Sequence, residues 1–192
     1  IDKYNLDQNS LIFSFVGNKT KDNPWKNFSL MYETLKELGN RLQRKVIFLC
    51  IGEKVDLVTA SPYFKFYSAG YIRETAKLND LYNCSDFYIH LAKADTFPNT
   101  ILEAQSCGIP VFANPVCGIP EQIIEEKTGW LLRTSSPQKI AEEIITKISS
   151  SSYPLMSKNC RKHILNNFTH EKMISNYMEY YQHILTCNKV RQ

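Results

Sequence analysis

The sequence lacks the short motifs that identify several large classes of nucleotide-binding and hydrolytic enzymes. It contains no Gly-x-Gly-x-x-Gly, no Gly-x-x-x-x-Gly-Lys-Ser/Thr and no Gly-x-Ser-x-Gly. These absences argue against a Rossmann dehydrogenase, a P-loop NTPase and an α/β-hydrolase, respectively. There is no Asp-x-Asp pair either, which argues against a divalent metal held by paired aspartates.

Long apolar runs and clustered cysteines are also missing. The longest clearly apolar run, Val46 to Ile51, is far too short to span a bilayer. The six cysteines are scattered without a Cys-x-x-Cys pair, and the four histidines lack ligand spacing. This pattern predicts reduced, buried thiols in a cytosolic protein and no disulfide framework or zinc site. The chain begins with Ile1 and has no signal pattern, so we interpret it as processed or excised from a longer chain.

The composition is that of a single globular domain. The chain has 192 residues, enough for a real core, and is 43% hydrophobic and 22% charged. The net charge of +4 fits an anionic small ligand or an anionic membrane surface, but it is too weak to argue for nucleic acid. We therefore expect one domain over residues 1–192.

Apolar runs alternate with segments of helical periodicity along the chain. This alternation predicts a doubly wound parallel α/β sheet, Rossmann-like, which helices close at its C-terminal end. The predicted strands are 11–16, 45–51, 64–67, 87–91, 109–113 and 129–132. The predicted helices are 26–42, 74–84, a short helix that starts within 98–100, a turn or two over 121–126, then 137–148, 155–166 and 171–185.

The stretch from Asp86 to Gly129 carries the most informative pattern. Asp95 follows a predicted strand, and Glu103 lies eight residues later, one turn into the next helix. Free N–H groups at that helix start attract phosphate, and a carboxylate on either side can accept hydrogen bonds from hydroxyls. The layout suits a ligand with a phosphate in the middle and a sugar at each end. Two simpler interpretations stay open: Glu103 completes a capping box with Thr100, and Asp95 is a solvated loop acid.

Other loops are expected at the same edge of the sheet, because ligands of open α/β sheets bind at the carboxyl ends of the strands. Gly17 permits a tight turn after the first strand, and three lysines follow it: Lys19, Lys21 and Lys26. Lys26 is the best candidate for a phosphate contact because it begins a predicted helix, although lysines in polar loops are most often simply solvated.

Two more loops complete the predicted edge. The segment Gly70-Tyr71-Ile72 forms a natural wall for a flat ring. In the segment 117–121, a glycine (Gly118) and a helix-initiating proline (Pro120) mark a loop that can present backbone amides to a ligand.

With these residues assembled, the sequence resembles the C-terminal, donor-binding domain of a GT-B glycosyltransferase of family 4, the retaining "group 1" type. The run DTFPNTILEAQSCGIPVFANPVCGIPEQIIEEKTGWLL is similar to that family's E-x7-E segment, its Gly-Ile-Pro-Glu loop and its Thr-Gly-Leu/Trp-Leu strand, in the same order. The resemblance extends from about Phe13 to Leu185. It implies the C-terminal half of a GT-B enzyme, whose acceptor-binding N-terminal domain is absent from this sequence.

The resemblance also implies a role for each candidate residue. Asp95 would contact the donor sugar, Lys26 would neutralise the diphosphate, and Glu103 would bind the ribose hydroxyls. Tyr71 and Ile72 would hold the base. The other residues implied in donor binding are Gly17, Asn18, Lys19, Phe97, Pro98, Asn99, Thr100 and Gly118.

Three positions depart from the family pattern. The first acid of the pair is Asp95 and not Glu, and its shorter reach can alter the choice of sugar. Asn18 stands where a phosphate-binding arginine is usual, and Lys19 or Lys21 would have to substitute for it. Cys117 replaces the first glycine of the usual Gly-Gly-Ile-Pro loop.

The resemblance implies sugar transfer from a UDP- or GDP-sugar with retention, without metal or other cofactor, in bacterial surface polysaccharide or lipopolysaccharide synthesis. We expect a cytoplasmic protein that binds the donor but does not transfer the sugar by itself, with peripheral membrane attachment left open. The last helix is expected to expose aromatic surface that the missing domain covers, unless it packs on its own domain. Because the same scaffold can carry different activities, a sugar-nucleotide epimerase and a non-catalytic nucleotide-binding module also stay open.

Overall fold

The structure is a computed structural model that describes residues 4, 6–7, 9–19, 21–55, 57, 61–149 and 153–189. The strands in this part of the chain are β1 (Leu11–Val16), β2 (Val46–Ile51), β3 (Phe64–Ser68), β4 (Phe87–His90), β5 (Val111–Ala113) and β6 (Gly129–Leu131). The helices are α1 (Phe28–Leu42), α2 (Thr75–Asn83), α3 (Asn99–Ser106), α4 (Ile119–Gln122), α5 (Pro137–Ile148), α6 (Tyr153–Asn167) and α7 (His170–Lys189).

The strands are buried on both faces of the sheet. Side chains of a strand alternate between faces, and in β1 Phe13 and Phe15 join the larger apolar cluster whereas Ile12 joins the smaller one. In β2, Phe48 belongs to the larger cluster and Ile47 to the smaller one. Continuous apolar strands of this kind are typical of parallel sheets, because the crossover helices cover both faces.

All neighbouring strands pair in parallel, in the order β3-β2-β1-β4-β5-β6. The chain winds outward from β1 to β3 and then returns to the other side of β1 to continue through β4. This is the doubly wound order, and it confirms the predicted fold class. Its topological switch point lies between β1 and β4, where the loops that follow the two strands diverge and leave a crevice.

Most predicted boundaries agree with the structure to within two residues. The larger differences are at the turns predicted over 121–126 and at the end of the last helix, which extends to Lys189 and not to 185. The helix predicted from Lys26 begins at Phe28, so Lys26 lies in the turn that precedes α1. The turns predicted over 121–126 are instead α4, Ile119–Gln122, because the helix starts directly after Gly118 with Pro120 in its first turn. Residues 150–152 of the predicted polar break lie outside the described residues.

The C-terminal helices differ in their packing. The helix α6 packs against α3. Side chains 170–186 of α7 are all exposed, among them Tyr177, Tyr180 and Tyr181. The predicted aromatic exposure is therefore confirmed, and α7 does not bury its face on this domain. No helix in the described ranges is long and apolar enough to cross a membrane.

The cysteines agree with the prediction in part. Those whose side chains are described are free thiols, and Cys50, Cys84 and Cys160 are buried. Cys117 is exposed, however, because the turn before α4 holds it at φ 48° on the surface. The side chain of Cys187 lies outside the described part.

Candidate active site at the carboxyl edge of the sheet

Three contacts join the loop after β1 to the loop after β4. The Asn27 side-chain amide donates to the Leu91 carbonyl at 3.0 Å. The Lys93 backbone N–H donates to the Trp25 carbonyl at 2.8 Å. Between these two anchors Lys26 Nζ reaches Asp95 Oδ2 at 2.7 Å. The two residues that the sequence singled out as charged candidates are thus brought together at the switch point of the sheet, 69 positions apart in the chain.

A buried histidine completes this group. His90 is the last residue of β4, its side chain is inaccessible to solvent, and its Nε2 lies 3.3 Å from Asp95 Oδ2. Asp95 is therefore approached by an ammonium from one loop and by an imidazole from the sheet. The exposed fractions of the Lys26 and Asp95 side chains are 25% and 18%, so both remain accessible to a ligand.

The charges of the group follow from these contacts. The nearby His90 imidazole and the Lys26 ammonium lower the pKa of Asp95 from its usual 3.8 to about 2, so this carboxylate is ionised at neutral pH. Burial lowers the pKa of His90, which favours the neutral ring. The ionised Asp95 is thus not a solvated loop acid, and that interpretation was wrong.

The helix α3 begins next to this group. It starts at Asn99, with the buried Pro98 at the N-cap position and no side chain bonded to the cap. Thr100 and Glu103 therefore occupy the second and fifth helical positions, and the capping-box interpretation of Glu103 was wrong. Uncapped N–H groups in the first turn, together with the helix dipole, are suited to an anion.

Glu103 is held by a different partner. The Tyr82 hydroxyl at the end of α2 donates to Glu103 Oε2 at 2.9 Å. Burial raises the pKa of Tyr82, so the phenol keeps the proton that it donates. One oxygen of the Glu103 carboxylate thus has a fixed partner in the core, and the acid itself is exposed and able to accept bonds from a ligand.

The turn before α4 supports the loop that follows Asp95. The Gly118 N–H donates to the Thr96 carbonyl at 2.9 Å. A Cβ added at Gly118 would meet that oxygen at 2.5 Å and the Phe97 ring at 2.8 Å. Gly118 is thus required for the close approach of two backbones, and its own N–H is occupied. The expectation that this amide faces a ligand was therefore wrong.

The remaining candidates lie beyond the carboxyl ends of β1 and β3, which flank β2 in the sheet. Gly17 follows β1 and donates its N–H to the Ile51 carbonyl at 2.9 Å. Asn18 and Lys19 are exposed beyond it, and Lys19 has a left-handed backbone with φ 50°. Beyond β3, the edge strand, Tyr71 is 68% exposed, and Ile72 packs on the smaller apolar cluster.

Two surface cavities border the site, and each is lined by some of the candidates. One, of about 390 Å³, joins Lys26 and Asp95 with Trp25, Thr96 and Cys117. The other, of about 760 Å³, extends along α3 to the start of α7 and includes Phe97, Asn99 and Glu103. Asn99, the first residue of α3, lines the second of these cavities together with Glu103.

Sequence reasoning missed His90 and Tyr82 as partners of the two acids. The histidines lack metal-ligand spacing, and Tyr82 lies within the predicted helix 74–84. One signal was present: a histidine at the carboxyl end of an otherwise apolar strand, five residues before the candidate acid. For Tyr82 no local signal exists, since its contact depends on how α2 packs beside α3.

Cation sites are not evident in this part of the molecule. Among the described residues, no group of three or more His, Cys, Asp or Glu side chains is placed to hold a metal ion. The charges that the site itself offers an anionic ligand are the Lys26 ammonium and the first turn of α3.

Comparison with protein families gives a match over most of the chain. The family model described as "Glycosyl transferases group 1" matches residues 1–164. A curated relative from Escherichia coli, UDP-Gal:alpha-D-GlcNAc-diphosphoundecaprenol alpha-1,3-galactosyltransferase, is 26% identical over 184 residues. The match covers 92% of this chain and 46% of the relative, so the chain spans about half of that relative's length.

Solved structures confirm the fold. A glycosyltransferase from Rickettsia africae has a TM-score of 0.73 at 20% identity, and the match covers 96% of this chain and 50% of that one. The Anabaena HepE protein in complex with UDP and glucose has a TM-score of 0.69 at 19% identity, and the match covers 91% of this chain and 48% of that one. Both structural matches cover about half of the matched protein's chain.

Proposed function

This chain belongs to the group 1 glycosyl transferases, and from that premise we propose that it binds the nucleotide-diphosphate sugar donor at the carboxyl edge of its sheet. The observation that carries this proposal is the arrangement around α3. Lys26 and Asp95 lie at one side of the uncapped first turn, and Glu103 lies one turn further along.

Each part of the donor has a proposed place. The diphosphate lies at Asn99 and Thr100, where Lys26 supplies a positive charge. The transferred sugar lies against Asp95 and the backbone of Phe97. The ribose bonds to Glu103. The base lies against Tyr71 and Ile72, and the remaining proposed contacts are Gly17, Asn18, Lys19 and Pro98. Gly118 makes no contact of its own and supports the loop that follows Asp95. UDP is the first nucleotide to test, since the Anabaena neighbour was solved with UDP and glucose.

The chemistry of this site is stabilisation of charge. When the bond between the sugar and the phosphate breaks, negative charge develops on the leaving diphosphate. We propose that Lys26 and the N–H groups at the start of α3 stabilise that charge, without a metal ion. The sugar develops oxocarbenium character at the same time, and the ionised Asp95 is suited to stabilise it. We also propose, from the family resemblance, that the configuration at the anomeric carbon is retained.

The wider role is proposed from the relatives. We propose that residues 1–192 form the donor-binding domain of a larger enzyme and that a second domain binds the acceptor. The Escherichia coli relative is named for a galactosyl transfer to a diphosphoundecaprenol-linked sugar. This supports a role in surface polysaccharide or lipopolysaccharide synthesis, at the cytoplasmic face of a membrane.

Thermal unfolding of the chain with UDP, GDP, ADP and CMP tests the proposal. A nucleotide at about 100 times its Kd should add roughly 2.7 kcal/mol to the free energy of unfolding, which raises Tm by roughly 5 to 10 °C. We expect one nucleotide to give this shift in the wild type and not in Glu103→Ala, because the ribose contact is lost.

Glu142→Ala is the matched control, since Glu142 is an exposed acid of α5 away from the site. It should keep the full shift. If no nucleotide shifts Tm, or if Glu103→Ala responds like the control, the proposed donor site is contradicted. Product analysis of the enzyme with its acceptor-binding domain then separates a transferase, which releases a glycosylated acceptor, from an epimerase or a non-catalytic module.

A further inference from the structure

His90 has no task in the donor-binding scheme, yet it lies in direct reach of that site. Its side chain is completely buried, and its Nε2 is 3.3 Å from Asp95 Oδ2, the same oxygen that Lys26 contacts. In the described part of the chain neither Nδ1 nor Nε2 of this ring has a hydrogen-bond partner, so the approach of Nε2 to Asp95 is a close contact and not yet a formed hydrogen bond. An unpaired polar ring in such a place is costly, and an apolar residue would fill the same space without that cost.

The position of the ring is fixed by the sheet. His90 is paired with Ala113 in β5, and its carbonyl accepts the Asn114 N–H at 3.1 Å. Its ring packs between those of Phe15 and Tyr88, with centroid distances of 5.6 Å and 6.1 Å. The imidazole therefore cannot turn away from Asp95 without disturbing the core.

Lys26 is held less firmly. It lies in the turn before α1 on a long, flexible side chain that is 25% exposed. The proposed function requires its ammonium to move from Asp95 to the diphosphate when the donor binds. Asp95 then loses its closest partner, at 2.7 Å, at the moment when the carboxylate must face the sugar.

We propose that His90 is a positioning residue, which holds the Asp95 carboxylate through an Nε2–H···Oδ2 hydrogen bond when Lys26 turns to the diphosphate. This inference rests on the proposed donor-binding function. The groups that face the ring are Asp95, Lys26 and the Tyr88 ring. A neutral ring protonated on Nε2 supplies the required donor, and burial favours that neutral state.

Two substitutions separate positioning from packing. His90→Leu fills the space without an N–H, whereas His90→Gln keeps an N–H donor at a similar reach. We expect His90→Leu to change the Kd for UDP by less than about twofold, but to reduce the preference for UDP-glucose over UDP by about tenfold, the size of one hydrogen bond to a charged group. His90→Gln should restore most of that preference, as measured by isothermal titration calorimetry.

Phe112→Leu is the control for a general loss of core packing, because Phe112 is buried in β5 against Trp130. It should lower Tm while the ratio of the two Kd values stays unchanged. A purely structural role predicts that His90→Leu behaves like this control and that His90→Gln rescues nothing. Either result would overturn the proposal.

A second measurement needs no nucleotide. Long-range ¹H–¹⁵N correlation spectra of the histidine-labelled chain report which ring nitrogen carries the proton. We expect a neutral ring protonated on Nε2, whose signal moves in Asp95→Asn and not in Glu142→Gln. A ring protonated on Nδ1 would refute the proposal whatever the binding data. If no nucleotide binds the wild type, the proposed donor-binding function is contradicted. The spectrum alone then tests whether His90 donates from Nε2 to Asp95.

Discussion

Replacing Asp95 by asparagine is expected to strengthen the binding of UDP, although Asp95 belongs to the proposed site. Without ligand, Lys26 Nζ lies 2.7 Å from Asp95 Oδ2, so the cation that is proposed to meet the diphosphate is already paired. UDP has to draw the Lys26 ammonium away from the Asp95 carboxylate. Its diphosphate must then bind close to that carboxylate, which repels it. Asparagine removes both obstacles and keeps the size of the side chain.

The size of the effect follows from the exposure of the pair. The Lys26 and Asp95 side chains are 25% and 18% exposed, which lies between a surface ion pair and a buried one. A surface pair contributes about 0–1 kcal/mol and a hydrogen bond to a charged group about 1.5–3 kcal/mol. If Asp95→Asn removes about 1 kcal/mol of the interaction that UDP has to break in the wild type, the Kd for UDP falls about fivefold.

Isothermal titration calorimetry with UDP measures this difference for the wild type, Asp95→Asn, Lys26→Met and the control Glu142→Gln. Lys26→Met should bind UDP more weakly, and the control should match the wild type. Because the gain in Asp95→Asn is electrostatic, it should shrink between about 0.05 M and 0.5 M salt. The reasoning is refuted if Asp95→Asn weakens UDP binding as much as Lys26→Met does.

Three other predictions concern the surroundings of the acids. Gly118→Ala should weaken UDP-glucose binding about tenfold or more, because its Cβ would meet the Thr96 carbonyl at 2.5 Å and displace the loop after Asp95; unchanged affinity in calorimetry would contradict this. Tyr82→Phe should raise the Kd for UDP about threefold to tenfold, because Glu103 loses the hydrogen bond that orients it; a Kd equal to that of the wild type would argue against the ribose contact. Asp95, with a pKa of about 2 when folded against its usual 3.8, contributes stability that is present above pH 3.8 and is lost as the pH falls to about 2. Urea unfolding should therefore show a shallower loss of stability in Asp95→Asn over that range, and equal slopes would contradict the assignment.

The sheet could be predicted from the sequence because its strands are continuous apolar runs that end at polar or glycine residues. Val46–Ile51 is an example, since all of its side chains are buried. The starts of helices were harder to predict. Asn27 adopts φ 55° at the N-cap of α1, and its side-chain amide donates to the carbonyl of Leu91, the residue that follows β4. A tertiary contact thus sets that boundary, and local periodicity does not reveal it.

The pairing of charges in the site could be predicted only in part. The expected positions of Lys26 and Asp95 at one edge of the sheet follow from the fold class, because loops after neighbouring parallel strands meet there. The capping-box motif from Thr100 to Glu103 was misleading, since Pro98 starts the helix two residues earlier than the motif requires. His90 was missed because a buried histidine in a strand has the same sequence pattern whether or not an acid lies beside it.

The two acids are close in sequence, but the fold holds them through different elements. Asp95 is fixed by the loop after β1 and by the end of β4, at the switch point of the sheet. Glu103 is fixed by Tyr82, at the end of α2. A shift of the β1–α1 loop therefore acts on the proposed sugar end of the donor, and a shift of α2 acts on the ribose end, with the first turn of α3 between them. It follows that the replacement of the usual Glu by Asp95, which keeps the negative charge beside Lys26, should affect sugar choice, while the proposed ribose contact stays with Glu103.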